Sequence, residues 1–215
     1  MERVAGACVA VSHLVMGMLD NNVYVVDDGA GCFVIDPSCD ADRIMGEVGD
    51  RQLDAIVVTH GHWDHTGAVQ ALREATGAPV ISSAVEKPYI EGRMQFDSYT
   101  RCDPFLVDRA VDDGDILEIG NVKLQVMITP GHTPGGMSLL AMPVENQAGA
   151  PVLFSGDTLF AGTHGRVDFD EGSLEDMRQS LIKLASLPDE TIVLPGHNSL
   201  TTIAQERGWL RLCCL

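Results

Sequence analysis

A chain of 215 residues with 45% hydrophobic and 21% charged side chains can bury a sizeable core, and its balance suits no disordered, collagenous or coiled-coil protein. Lysine plus arginine number 14 against 31 acidic residues, and the resulting net charge of −17 repels phosphate backbones and anionic lipid, so neither nucleic acid nor membrane is an expected partner. The 6 cysteines form no Cys-x-x-Cys pair and read as reduced thiols, and too few residues precede Cys8 for an apolar signal region; a cytoplasmic location is expected. In chain order, residues 23–26 and 32–35 are β-rich runs flanking a turn that includes Asp28, which reads as a hairpin. Asp40 is placed to cap a helix reaching about Val48, with Ile44 and Val48 on one face. The run 55–58 is continuously apolar and β-branched, as in a strand buried on both faces. A helix is expected to start near His65 and run to Thr76, with Val69, Leu72 and Ala75 inward and Gly77 as its stop. Residues 79–81 form another short strand, and 86–115 read as a connecting segment with one helix, placed to overhang a site. Strands return at 116–119, 122–129, 138–142 and 152–154. Ser173 caps a helix to Ala185 that turns Leu174, Met177, Leu181 and Leu184 to one side, and 192–194 is the last strand expected.

The chemistry concentrates at Thr59-His60-Gly61-His62-Trp63-Asp64-His65, where three histidines and an aspartate crowd six positions at the end of a buried strand. Imidazole and carboxylate suit Zn²⁺ and other first-row divalent ions. His60 and His62 point one way along extended chain, whereas Asp64 and His65 lie where the chain turns into a helix and aim elsewhere, so one strand end can serve two metals. Further donors follow other predicted strands: His132 in Pro130-Gly131-His132-Thr133-Pro134, Asp157 in Ser155-Gly156-Asp157-Thr158, and His197 in Pro195-Gly196-His197. No Gly-x-Ser-x-Gly, P-loop or dinucleotide fingerprint occurs.

These motifs, with Phe154-Ser155-Gly156-Asp157-Thr158-Leu159-Phe160 and Gly165-Arg166, resemble the metallo-β-lactamase superfamily, in its glyoxalase II-like (hydroxyacylglutathione hydrolase-like) branch. The resemblance implies an α/β (α+β) four-layer αββα sandwich, one domain over 1–215 with pseudo-equivalent halves at roughly 1–110 and 111–215. It implies two divalent ions, Zn²⁺ foremost with Fe or Mn as alternatives. His60, His62 and His132 would hold one, Asp64, His65 and His197 the other, and Asp157 would bridge them. The implied activity is hydrolysis of a small thioester, S-lactoylglutathione-like, or a related ester, by a metal-bridging hydroxide that Asp64 orients. A mononuclear iron persulfide dioxygenase using His60, His132 and Asp157 is the alternative. Lactonase, β-lactamase, ribonuclease and a structural metal protein rank behind it.

Other residues carry plainer expectations. Arg166 either anchors a substrate carboxylate or pairs with Asp168 or Asp170, the second being favoured, and His164 beside it is a further substrate contact. His13 reads as structural, Trp63 as packing beneath the ligand loop, and Cys213-Cys214 as an unremarkable tail. Glutathione would call for basic contacts beyond His197, where Arg207 and Arg211 are the only strong cations.

Overall fold

The computed structural model describes residues 2–27, 29–96, 99–143 and 148–213; Asp28 and Cys214, both singled out above, lie outside these. The first sheet is built in spatial order from β1 (Glu2–Arg3), β2 (Ala10–Met16), β3 (Asn21–Asp27), β4 (Cys32–Ile35), β5 (Leu53–Val57), β6 (Val80–Ser83) and β7 (Arg109–Val111). Its first four strands pair antiparallel, and β4 to β7 pair parallel. Parallel neighbours need crossovers, supplied by α1 (Ala41–Val48), by α2 (Trp63–Thr66) with α3 (Val69–Thr76), and by the short α4 (Lys87–Ile90). The second half of the chain runs through β8 (Ile116–Ile119), β9 (Val122–Ile128), β10 (Met137–Ala141), β11 (Val152–Gly156), the small hairpin β12 (Leu159–Phe160) and β13 (Thr163–His164), α5 (Leu174–Leu184), β14 (Ile192–Pro195), β15 (Thr201–Thr202) and α6 (Ile203–Cys213). Its sheet has the order β15-β14-β11-β10-β9-β8, with only β11 and β14 parallel, joined through α5.

Alternation along the strands decides the layering. In β3, Tyr24 and Val26 join a core with Phe33, Leu124, Leu139 and Phe154 between the two sheets, while Val23 and Val25 pack with Ile44, Val48, Val69 and Leu72 of α1 and α3 on the outer face. On the other side, Leu140, Leu153 and Val193 meet Met177, Leu181 and Leu184 of α5 and Ile203 and Leu210 of α6. The result is a helix-sheet-sheet-helix sandwich. Each large side chain sealed in these layers contributes about 1.5–3 kcal/mol. Backbone hydrogen bonds also sew the sheets together at one end: Met137 N donates to Thr59 O at 3.0 Å and Asn22 N to Gly196 O at 2.7 Å.

Several local expectations need correction. The helix after the histidine cluster begins at Trp63, not near His65, and breaks between Thr66 and Val69. There Ala68 N turns to bond Pro37 O at 2.9 Å, and a Cβ on Gly67 would sit 2.4 Å from Ser38 O, so the chain bends around that strand end. Ala75 is exposed, the break having rotated α3 so that only Val69 and Leu72 face inward. Leu174, the first residue of α5, is 64% exposed because the inward stripe starts one turn later at Met177. The connecting segment 86–115 holds β7 as well as its short helix, and 192–194 is not the last strand, since the edge strand β15 follows it, with α6 packed on α5. Among the described residues no helix is long and apolar enough to cross a membrane.

Candidate metal centre

Five segments deliver the seven predicted donors to the sewn end of the sandwich. Beyond β5 the chain carries His60 and His62, α2 carries Asp64 and His65, the turn after β9 carries His132, the turn after β11 carries Asp157, and the turn after β14 carries His197. One donor atom from each of His60, His62 and His132 lies within 4.8 Å of the others, and the same holds for Asp64, His65 and His197. Asp157 touches both groups: one oxygen is 3.4 Å from His65 Nε2, the other 3.4 Å from His132 Nε2 and 3.5 Å from His197 Nε2. The backbone approaches closely to achieve this. A Cβ on Gly196 would stand 2.2 Å from Asp157 Oδ1 and 2.7 Å from His65 Cε1, so only glycine fits beside His197.

Partners behind the rings fix which nitrogen faces the centre. Thr59 Oγ1 gives its proton to Asp36 at 2.6 Å, so it accepts from His60 Nδ1 at 3.1 Å and leaves Nε2 as the lone-pair end. His65 Nδ1 donates to Asp36 at 3.1 Å, His132 Nδ1 to the Arg166 carbonyl at 2.7 Å, and His197 Nδ1 to the Leu19 carbonyl at 3.0 Å. His62 is reversed: its Nε2 donates to Glu171 at 3.1 Å, turning Nδ1 inward. Five imidazole lone pairs therefore converge, His62 Nδ1 and His132 Nε2 being 2.9 Å apart and His65 Nε2 and His197 Nε2 3.2 Å apart. Facing lone pairs at such separations repel unless a cation lies between them. His60 Nε2 and Asp157 Oδ1 are buried with no hydrogen-bond partner among the described residues, which a cation would satisfy. The donor set thus fits two divalent ions of the zinc, iron or manganese kind.

The electrostatics agree. Burial, then the neighbouring imidazoles, hold His60 well below the ordinary histidine value, and burial brings His132 down to about 4 against the opposing pull of Asp157. Both are neutral at pH 7, as imidazole must be to hold a metal ion. Burial works against ionisation of Asp157, yet His65 and the other imidazoles hold it at about 2, and Asp64 is depressed in the same way by His65, His197 and Asn21. His65 is raised despite its burial by Asp157 and Asp64, a proton there taking the place a cation would have between two carboxylates.

Four further residues belong to the centre and were not read from sequence: Asp36, Asn21, Glu171 and Glu86. Asp36 is within reach of His60 and His65, but its oxygens are occupied by Thr59 N at 2.7 Å, Thr59 Oγ1 and His65 Nδ1, so it braces ligands. Asn21 Nδ2 donates to Asp64 at 2.8 Å, and Glu171 also accepts from Thr100 Oγ1 at 2.8 Å. Glu86 accepts from Gly61 N and Gly135 N at 3.0 and 2.8 Å, tying two ligand turns together. A strand-ending Asp36-Pro37 was the one local signal available; the others are visible only once distant turns meet.

Above the donors opens a cavity of about 520 Å³, walled by Leu19, Trp63, Tyr99, Phe160, Arg166 and Phe169. Trp63 does not pack beneath the ligand loop: at the first position of α2 it projects to the cavity mouth, 41% exposed. Arg166 lines the cavity while forming a bidentate pair with Asp168 at 2.9 and 3.0 Å and lying 4.3 Å over the Phe169 ring. His164 does not join it. Its Nδ1 bonds the Gly165 carbonyl and the ring lines a separate groove with Leu174 and Trp209. His13 stacks on Tyr24 at 5.3 Å and bonds Asn22 at 2.7 Å, away from the donors.

Comparison with known proteins places this arrangement. The signature of the Metallo-beta-lactamase superfamily matches residues 16–197, which takes in all seven donors. The chain belongs to the metallo-beta-lactamase superfamily. It is 33% identical over 196 residues to the hydroxyacylglutathione hydrolase GloC of Haemophilus influenzae, covering 87% of this chain and 89% of that one. Among solved structures, the BLEG-1 B3 metallo-beta-lactamase superposes with a TM-score of 0.80 at 32% identity, covering 92% of this chain and 96% of the other. TTHA1623 in a di-iron-bound form gives 0.76 at 33% identity, with coverage of 91% and 96%. The superfamily's metal-centre architecture is therefore shared, with relatives named for different substrates.

Proposed function

We propose that this protein is a metal-dependent hydrolase that cleaves a small thioester or related ester at a pair of divalent ions. The observation carrying this reading is the convergence of two ligand trios on Asp157 beneath an open cavity. When bound, two such ions supply Lewis acidity and a water acidified toward neutral pH. His60, His62 and His132 would hold one ion, Asp64, His65 and His197 the other, and Asp157 both. Asp64, kept ionised and oriented by Asn21, faces the cavity and positions the attacking water. In hydrolysis the oxygen of a water would bond the acyl carbon, the carbon–sulfur bond would break, and the water's two protons would leave on the carboxylic acid and the thiol. The name of the Haemophilus relative supports a thioester as substrate, and that of BLEG-1 keeps β-lactams in the comparison. An iron persulfide dioxygenase would present a similar donor set yet use only His60, His132 and Asp157, so metal count and oxygen uptake are what separate the two readings. The test is metal analysis with activity assays on thioester, lactone and β-lactam panels. Two ions and thiol release are expected; one iron with persulfide-dependent oxygen uptake would overturn the reading.

A further inference from the structure

From the charge and shape of the cavity we infer that the thiol carrier of the substrate is uncharged and largely apolar, not an anionic peptide thiol. The inference rests on the thioester reading above and deepens it. Around the donors, the described wall sets Leu19, Trp63, Tyr99, Phe160 and Phe169 beside the polar Thr100, Arg166 and Asn198, with Leu19 and Tyr99 51% and 84% exposed at the rim. Four of these eight are aromatic in a chain with only 5% aromatic residues, so the wall concentrates a scarce type. Such faces recover about 25 cal/mol per Å² from an apolar limb laid against them.

Charge selects in the same direction. Apart from its histidines, the described lining holds one cation, Arg166, whose fork is already closed on both oxygens of Asp168. Its face is stacked on Phe169. A second source was open to the sequence, Arg207 beyond His197, but its guanidinium pairs with Asp189 and bonds the Leu187 carbonyl at 3.0 Å, beneath α6 and outside the cavity lining. A carrier bearing two carboxylates would therefore lose hydration without gaining a side-chain cation for each, and two bound divalent ions would offset only part of the net charge of −17. A neutral carrier meets no such opposition.

The experiment presents one acyl group on two carriers to the metal-loaded protein: hexanoyl-N-acetylcysteamine, which is neutral, and S-hexanoylglutathione, which is anionic. We expect kcat/KM for the neutral thioester to be larger by about tenfold or more. Raising ionic strength should increase kcat/KM for the glutathione thioester and leave the neutral one unchanged. Binding is read separately by calorimetry with the uncleavable thioethers S-hexyl-N-acetylcysteamine and S-hexylglutathione. Trp63→Ala should weaken binding of the neutral thioether while metal content is retained, and Trp63→Phe should restore most of it. Equal or better use of the glutathione thioester, or no loss on Trp63→Ala, would overturn the inference. Cleavage of neither thioester with the thioether preference intact would instead sink the thioester reading and leave the cavity's preference standing.

Discussion

Glu86 offers the sharpest test of how the fold holds its metal centre. It is fully buried at the start of α4, away from any ion, yet its two oxygens receive Gly61 N at 3.0 Å and Gly135 N at 2.8 Å. Gly61 lies between candidate ligands His60 and His62, and Gly135 ends the turn that presents His132, so one carboxylate sets the spacing of three candidate ligands of one trio. Ser83 completes the clamp, donating to the Gly135 carbonyl at 2.6 Å and accepting from Glu86 N at 3.0 Å. Glu86→Gln keeps the volume but faces one backbone donor with an amide donor. Losing one charge-assisted bond and stranding one buried N–H costs about 2–3 kcal/mol, which in a chain of this size lowers Tm by roughly 4–12 °C. Loosening the two turns should also weaken metal binding by about 10–100-fold.

The pH dependence carries a sign of its own. Burial, only partly offset by the hydrogen bonds it accepts, raises the Glu86 carboxyl above 4.5, so the folded state binds more protons than the unfolded chain above that pH. Stability contributed by this group is therefore present below 4.5 and declines as pH rises through the raised folded value, and Glu86→Gln should remove that slope. Urea unfolding of the metal-free protein across pH, paired with chelator competition for the metal, reads both effects. Wild-type metal affinity in a variant that has lost stability would refute the proposed link between the clamp and the ligands.

Other predictions probe the centre and its surroundings. Asp157→Ala should lower metal content from two ions toward one or none and abolish turnover with the far-ultraviolet dichroism unchanged; retained activity would remove the bridging role. Gly196→Ala would push a methyl to 2.2 Å from Asp157 Oδ1, so elemental analysis should find the second ion lost, and normal occupancy would show that the turn can yield. Burial pushes the Cys102 thiol up to about 11, so iodoacetamide at pH 8 should label half-buried Cys39 and spare Cys102 by peptide mass spectrometry until pH exceeds roughly 10 or the chain unfolds.

The parts of this molecule legible in its sequence are those encoded within a few residues. Ile44 and Val48, or Met177, Leu181 and Leu184, mark inward helix faces by spacing alone, and the buried run at β5 declares a strand covered on both sides. All seven donors are legible because His60, His62, Asp64 and His65 crowd one motif beyond a strand, and His132, Asp157 and His197 each follow a strand in a turn of glycine or proline. What escaped depends on distance along the chain. Glu171 meets His62 across 109 positions, Glu86 meets Gly135 across 49, and nothing local distinguishes these carboxylates from the solvated acids that dominate the surface. Edge strands failed for another reason: β7 and β15 are 3 and 2 residues long, too short for alternation to register, and are held by neighbours already in place.

Trp63 joins these two levels. Its place in the motif is local, but its orientation follows from α2 starting where Trp63 N bonds the Thr100 carbonyl at 3.0 Å, which draws the overhanging segment against the ligand turn. With that bond made, Asp64 and His65 point down to the donors and Trp63 points out to the cavity. The same Thr100 gives its hydroxyl to Glu171, the residue that turns His62 inward. Thr100 thus links a wall of the cavity to the tautomer of a candidate ligand through two hydrogen bonds. The chain expected only to overhang the site takes part in building it, and a change in this segment should alter metal affinity and substrate preference together.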